Sequence, residues 1–400
     1  MSQAAGMPPS LHVLTLTPFF ASDKNEVSGC FVSEPLEQFP HLGLASTVIA
    51  VSPVHYSRKH SISSAPAEWV RYPQMPGIFG LSTAGKLLYL RLLKRIEKLH
   101  RIKPIDVIHA HAALPCGHAA ALISRRLNIP FVITVHGLDV FNTCARDGIS
   151  ATWRRDVSRA VYGSAHTVVC ISGKVQQFVN AGMPVEPQTA IVPNGVNADF
   201  FSPSPAQSEN VTPQILVVGS LLPSKGHELV LRALKTLQTS LPLIQCSIIG
   251  EGPYQSQFEG LVQELGLARQ VRFLGRKSRA EVAEAMRHCS VFVLPSRNEA
   301  LGCVYLEAMS CGRPAIACTG QGIDEVIEHG KNGWLIPPDG LAELVQGLSA
   351  LFGSLELRNR LGAAARQTIL EKLTLAHQAR QLNAAYRQAI AQRSGPSPTI

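Results

Sequence analysis

The chain has 400 residues, enough for two or three domains with a full core, and its 46% hydrophobic and 16% charged content excludes a disordered chain. Its formal net charge of +9 is concentrated: residues 84–103, AGKLLYLRLLKRIEKLHRIK, hold seven Lys/Arg against one Glu. No uncharged apolar run reaches the about 18 residues of a membrane span, the N-terminus lacks the basic and apolar regions of a signal peptide, and nine scattered cysteines without a C-x-x-C pair argue against zinc and for free thiols in a reducing cytoplasm.

Strands and helices alternate along the chain. Residues 11–16 read as a first strand stopped by Pro18, and 31–39 as a helix. Residues 47–51 read as a second strand, and 52–80 as an irregular Pro-containing segment. The basic stretch 84–103 is an amphipathic helix. Leu88, Leu92, Ile96 and Leu99 form one stripe, and Arg91, Lys94, Arg95 and Lys98 another. Strands are expected at 107–111, 131–135 and 167–171, with helices at 119–127 and from Ser172; residues 190–192 lead into the turn Pro193-Asn194-Gly195. The polar, Pro/Ser-rich stretch 201–213 reads as a linker.

Beyond it the alternation restarts. Strands are expected at 214–218, 243–249, 271–274, 291–294 and 315–318, with a short edge segment at 332–337. Helices are expected at 227–238, 281–288, 303–311, 341–352, 357–368 and 376–392. No tandem repeat is present. The pattern predicts an α/β protein of two doubly wound, Rossmann-like domains, 1–200 and 214–375, facing a cleft at the carboxyl ends of their sheets. Residues 376–392 are expected to pack back on the first domain, with 393–400 as a tail.

The unit around 294–325 carries the chemistry. Glu299 lies in the loop after a strand and Glu307 in the next helix, with seven residues between them. At about 100° per residue they do not share a helix face, so they suit two parts of one elongated ligand. Backbone N–H groups around Leu301 and Gly302, at a helix start, suit an anion. Hydroxyls at both ends and phosphate between describe a nucleotide sugar. Lys225, between a strand end at Gly219 and a helix, is placed to neutralise a diphosphate. Its bland alternative is a solvated lysine at a helix entry. Gly29, in the first strand–helix loop, allows close backbone approach. The G-x-G-x-x-G fingerprint is missing there, which argues against a dehydrogenase. His109 and His111, two apart, share a strand face; no third ligand follows at metal spacing, so they read as structural or acceptor-side. No Asp-x-Asp pair occurs to hold a divalent ion on a diphosphate, so no metal is expected. No nucleic-acid partner is expected.

Glu299-x7-Glu307 is followed by Ala308-Met309 and Cys311-Gly312-Arg313-Pro314. With it stand His109-Ala110-His111, His136-Gly137-x-Asp139, Pro193-Asn194-Gly195-Val196, Gly219 with Lys225-Gly226, Gly250-Glu251-Gly252 and Gly275. This ordered set resembles the retaining glycosyltransferases of glycosyltransferase family 4, which have the GT-B fold. The resemblance implies a catalytic set of His136, Glu299 and Lys225, with His136 at the donor sugar near the reacting carbon and Glu299 on the sugar. Asp139 would orient His136 or meet the acceptor. It implies a donor-binding set of Gly29, Gly219, Ser220, Lys225, Gly250, Leu301, Gly302 and Glu307, with Glu307 on the ribose. A nucleoside-diphosphate sugar, UDP-linked ahead of GDP-linked, is then the donor substrate, and a saccharide or lipid-linked hydroxyl the acceptor.

The expected role is polysaccharide or glycolipid synthesis in the cytoplasm, at the inner face of an anionic membrane reached through residues 84–103. Four departures stand out: Ser220 where an Arg is usual, Ser28 beside Gly29, Gln321 where a Gly is usual, and Asn197 where an Asp is usual. No carboxylate in the N-terminal motifs suits a double displacement, so same-face attack is expected. A nucleotide-sugar epimerase of the same architecture and a non-catalytic binding subunit are the alternatives.

Overall fold

The computed structural model describes residues 11–21, 29–55, 67–75, 80–137, 148–181, 183–204 and 213–392. Ser28, Asp139, the middle of the linker and the tail 393–400 lie outside the described residues. Two units divide the chain: 1–193 with 376–400, and 194–375. The sequence set the break at 201–213. The division falls earlier because Val196 bridges to Thr374, and Phe201 is buried with its carbonyl accepting from Arg366 at 3.0 Å.

In the first unit, apolar runs form β1 (Leu11–Thr17), β2 (Leu44–Pro53), β3 (Ala67–Tyr72), β4 (Val107–His111), β5 (Phe131–Val135), β6 (Thr167–Cys170) and β7 (Thr189–Ile191). They make a parallel sheet in the order β3-β2-β1-β4-β5-β6-β7. β4, β5 and β6 are buried along their whole length, which is why they read as continuous apolar runs and not as alternation. The connections carry α1 (Cys30–Leu36), α2 (Gly80–Ile102), α3 (His118–Leu127), α4 (Ile149–Ser164) and α5 (Gly173–Asn180). β3 lies inside the segment read as irregular; it is a short edge strand beside Ser- and His-rich sequence. α4 was not anticipated, because its ISATWRRDVSRAVYGS is mostly polar and buries only four side chains.

The helix expected at 84–103 is α2, which starts at Gly80. Leu88, Leu92 and Ile96 are fully buried, so this stripe packs inside the unit and is not available to lipid. The other face is exposed and basic through Lys86, Arg91, Lys94, Lys98 and Arg101, with Arg95 paired to Glu68.

The second unit holds β8 (Gln214–Val218), α6 (His227–Leu237), β9 (Gln245–Ile249), α7 (Gln255–Glu264), β10 (Val271–Phe273), α8 (Arg279–His288), β11 (Val291–Val293), α9 (Cys303–Ser310), β12 (Ala315–Cys318), β13 (Trp334–Ile336), α10 (Leu341–Gly353) and α11 (Leu355–Lys372). Its parallel sheet runs β10-β9-β8-β11-β12-β13. α7 was missed because only Phe258 and Val262 are buried in it. The last helix, α12 (Leu375–Gln392), belongs from residue 376 to the first unit. Its Ala379, Leu382, Ala385, Tyr386 and Ala389 join the core made by Val13, Phe20, Val32 and Val132.

Strand order reverses between β1 and β4 in one sheet and between β8 and β11 in the other. In doubly wound sheets, ligands bind beyond the carboxyl ends of strands at such a switch point. The sequence-predicted residues sit at both.

Candidate functional site

At the second unit's switch point, loops from five strands are laced together. The Gly219 N–H donates to Ile249 O at 3.0 Å, Leu221 N–H to Glu251 O at 3.0 Å, and Gly250 N–H to Gly275 O at 2.9 Å. Gly250 has a φ of 147°, and a Cβ there would lie 1.9 Å from the Gly219 carbonyl oxygen, so no side chain fits between the two loops. Ser220 follows. Its carbonyl lies 3.0 Å from Nε2 of the fully buried His227, which fixes the Nε2–H tautomer and pins this loop to the start of α6.

Lys225 ends a 3₁₀ turn, Pro223–Lys225, after β8. Its Nζ lies 2.5 Å from Glu299 Oε2, in the loop after the neighbouring strand β11. Ser296 Oγ lies 3.2 Å from the same oxygen. The Arg297 N–H donates to Ser224 O at 2.7 Å, which ties the Glu299 loop to the Lys225 turn. Gln321 supplies another tie: its Oε1 accepts the Glu299 N–H at 2.9 Å, while Gly322 N–H donates to Glu299 O at 3.1 Å. The departure from glycine at 321 therefore puts an amide where it holds the Glu299 backbone.

Gly302 is the N-cap of α9, with Leu301 buried before it. Tyr305 hydrogen-bonds to Leu294 O, anchoring α9 to the end of β11, and burial pushes its phenol pKa up. Glu307, one turn further on, is largely buried and lies 3.6 Å from Arg279 Nη2. Arg279 also lies over the Phe200 and Phe201 rings, 5.7 and 5.1 Å from their centroids. Sequence reading missed Arg279 and His227. No spacing signal links either to its partner.

The first unit's switch point gathers histidines. The His109 and His111 rings lie 4.2 Å apart on β4. His109 is used on both sides: Nε2 is 2.7 Å from Thr134 Oγ1, and Nδ1 is 2.7 Å from the Tyr386 hydroxyl on α12. It is therefore a structural tie. His111 Nδ1 lies 2.9 Å from His136 Nε2, with the two rings stacked at 15°. Phe31 and Phe19 flank His136, with centroids 4.6 and 5.7 Å away. Gly29, with a φ of 89°, makes that packing possible. A Cβ there would lie 2.3 Å from Phe20 N, so only glycine brings the start of α1 against the β1 loop.

The His136 Nδ1 is out of water with no hydrogen-bond partner among the described residues, although the residue keeps some exposed edge. Burial lowers its pKa to about 3. Burial, then the His136 charge, lowers His109 to about 3, and burial, then the His109 and His136 charges, holds His111 well below its ordinary value. All three imidazoles are neutral at neutral pH. Among the described residues no group of three His, Cys, Asp or Glu could hold a metal ion. Nor, among them, is any helix long and apolar enough to cross a membrane.

Comparison with known proteins is consistent across the chain. The family model for glycosyl transferases group 1 matches residues 202–368, and that for glycosyltransferase family 4 matches 32–200. An uncharacterised glycosyltransferase of Methanocaldococcus jannaschii is 31% identical over 258 residues, 64% of this chain and 68% of that protein. The D-inositol 3-phosphate glycosyltransferase of Stackebrandtia nassauensis is 28% identical over 370 residues, 87% of this chain and 81% of that one. Among solved structures, sucrose-phosphate synthase from Thermosynechococcus elongatus superposes with a TM-score of 0.77 at 20% identity, covering 95% of this chain and 99% of that one. Anabaena HepE in complex with UDP and glucose gives 0.72 at 18% identity, covering 94% and 98%. Matched along both units, the chain belongs to glycosyltransferase family 4, the group 1 glycosyl transferases, and has the GT-B fold.

Proposed function

We propose that the protein moves a sugar, with retention of configuration, from a UDP-sugar to a hydroxyl acceptor in polysaccharide or glycolipid synthesis. The observation that carries this reading is the Lys225–Glu299 pair at the switch point of the second sheet, a cation and a sugar-grade carboxylate held 2.5 Å apart by backbone ties. Lys225 takes the diphosphate charge that grows as the glycosidic bond breaks. Glu299 accepts hydrogen bonds from the sugar, and Glu307 from the ribose. Gly219, Ser220, Gly250, Leu301 and Gly302 line the phosphates with backbone. Gly29 and His136 are the first unit's proposed members of the set, with the neutral His136 imidazole at the donor sugar.

The acceptor oxygen bonds to the anomeric carbon on the face the diphosphate leaves. Its proton passes to the leaving phosphate oxygen, so no protein nucleophile is needed. UDP is favoured as the nucleotide because the HepE neighbour was solved with UDP and glucose. Metal independence follows from the missing Asp-x-Asp pair and from Lys225 in the cation's role. The exposed basic face of α2 is the proposed contact with an anionic membrane, from the cytoplasmic side.

A donor panel assayed for nucleoside-diphosphate release, with and without membrane acceptors, tests the reading. Glu299→Ala is expected to cut turnover by about 10² or more. Full activity of Glu299→Ala, or product sugar nucleotide released without any acceptor, would remove it. EDTA is expected to leave turnover unchanged; loss that Mg²⁺ restores would overturn metal independence.

A further inference from the structure

On the first unit, α2, α3 and α4 leave a groove of about 300 Å³ whose lining includes none of the histidines at the switch point. This is the size at which small-ligand pockets begin. Its wall is apolar, with Leu122, Trp153 and Val157 half-buried along it. Lys86 and Arg125, both exposed, stand at its rim. Two residues that line it, Ser82 and His118, each carry a polar atom that is out of water and has no hydrogen-bond partner among the described residues. These are Ser82 Oγ, in a side chain 2% exposed, and His118 Nδ1. Leaving a buried hydroxyl or imidazole nitrogen without a partner costs about 1–3 kcal/mol, a cost that a hydrogen-bonding ligand would relieve.

The groove is also built by a specific packing choice. A Cβ on Gly85 would lie 2.5 Å from the His118 side chain, so glycine at 85 lets α3 close onto α2 and sets the imidazole in place. Burial, and then the Lys86 charge, lowers the His118 pKa. The ring is therefore neutral at neutral pH and can donate or accept a hydrogen bond beside two permanent cations. An apolar trough ending in cations and unsatisfied hydrogen-bonding groups fits one kind of molecule. We propose that the groove between α2, α3 and α4 binds a long-chain alkyl phosphate, its chain along Leu122, Trp153 and Val157 and its phosphate at Lys86 and Arg125, within reach of His118 and Ser82. A phosphate suits the site because its several acceptor oxygens can meet two cations and two neutral groups at once.

The site is distinct from the donor machinery, and the test keeps them apart. Decyl phosphate, decanol and inorganic phosphate are titrated into the full chain below the micelle concentration. Decyl phosphate is expected to bind, decanol at least tenfold more weakly, and inorganic phosphate not to compete at equal concentration. Lys86→Gln and Arg125→Gln should each weaken binding about fivefold, the effect of one cation near an anionic group. Ala121→Trp, which fills the groove, should abolish it while leaving the thermal shift given by UDP unchanged. Should that variant not fold, a tail-brominated decyl phosphate must quench the fluorescence of the unaltered protein but not of Trp153→Phe, which keeps Trp69 and Trp334. Decanol binding within twofold of decyl phosphate, displacement by inorganic phosphate, or quenching that survives Trp153→Phe overturns the proposal. Decyl phosphate binding without any UDP shift would instead remove the donor reading and leave this one standing.

Discussion

Lys225 and Glu299 neutralise one another across 2.5 Å, so neither charge is spare in this arrangement. Removing either leaves the other partly buried charge without its partner, at roughly 1–3 kcal/mol. Lys225→Ala is expected to lower kcat by about 10²–10³, as loss of one group that stabilises developing charge does. Steady-state assays with donor in excess check this; a kcat within threefold of wild type would place the diphosphate elsewhere. Glu307 differs, because Arg279 engages it and its proposed ribose contact is remote from the bond that breaks. Glu307→Ala should raise the donor KM about tenfold with kcat held within a few-fold. An equal fall in kcat would move Glu307 to the reacting centre. The places of both glutamates and Lys225, in a loop, in a helix and at a helix entry, were readable from motif and spacing. Arg279 and Gln321 were not, since the contacts that give them meaning join segments with no shared periodicity.

At the scale of elements, α12 matters most. It is last in sequence, yet its Tyr386 hydroxyl reaches His109, 277 positions earlier, at 2.7 Å. The helix thus completes the first unit's core and holds one member of the histidine cluster. Tyr386→Phe keeps the ring and removes the hydroxyl, leaving His109 Nδ1 buried without a partner. It should destabilise the chain by about 1–3 kcal/mol, read as a lower denaturant midpoint with an unchanged m-value. An unchanged midpoint would mean the hydroxyl does not hold His109. The helix itself was legible from its apolar spacing, but its partner was legible only as an expectation of return packing. β3 and α4 were not legible at all, because edge strands and polar helices bury too few side chains to print a period.

Over the whole molecule, buried imidazoles make stability depend on acid. Burial holds His109 and His136 near pKa 3, against 6.5 when unfolded. The fold therefore refuses protons that the unfolded chain accepts. They cost nothing above pH 6.5 and destabilise the fold increasingly as pH falls from there towards 3, by about 1.4 kcal/mol per pH unit for each histidine. Denaturant midpoints at pH 7 and 4.5 should differ less in His109→Gln than in wild type. An equal difference would clear His109 of the effect. The basic face of α2 makes a second molecular prediction. With Leu88, Leu92 and Ile96 inside the core, membrane binding must be electrostatic, at about 1 kcal/mol per cation. Co-sedimentation with anionic vesicles should be lost at high salt, and lost on changing Arg91, Lys94 and Lys98 to Gln. Equal recovery on neutral vesicles would return this face to ordinary solvation.

Local information was enough for the strand–helix alternation, for two parallel sheets, and for the order of motifs that marks glycosyltransferase family 4. Period and turn chemistry act within a few residues, so they are written in the chain itself. Tertiary structure alone decided which groups meet. It set Lys225 against Glu299 across neighbouring strands and Gln321 under the Glu299 backbone. It also turned the apolar stripe of α2 inward and put His109 between Thr134 and Tyr386. Each of these depends on strand order at a switch point and on which face a helix buries. Those are fixed by the packing of the whole unit, and no local stretch of sequence carries them.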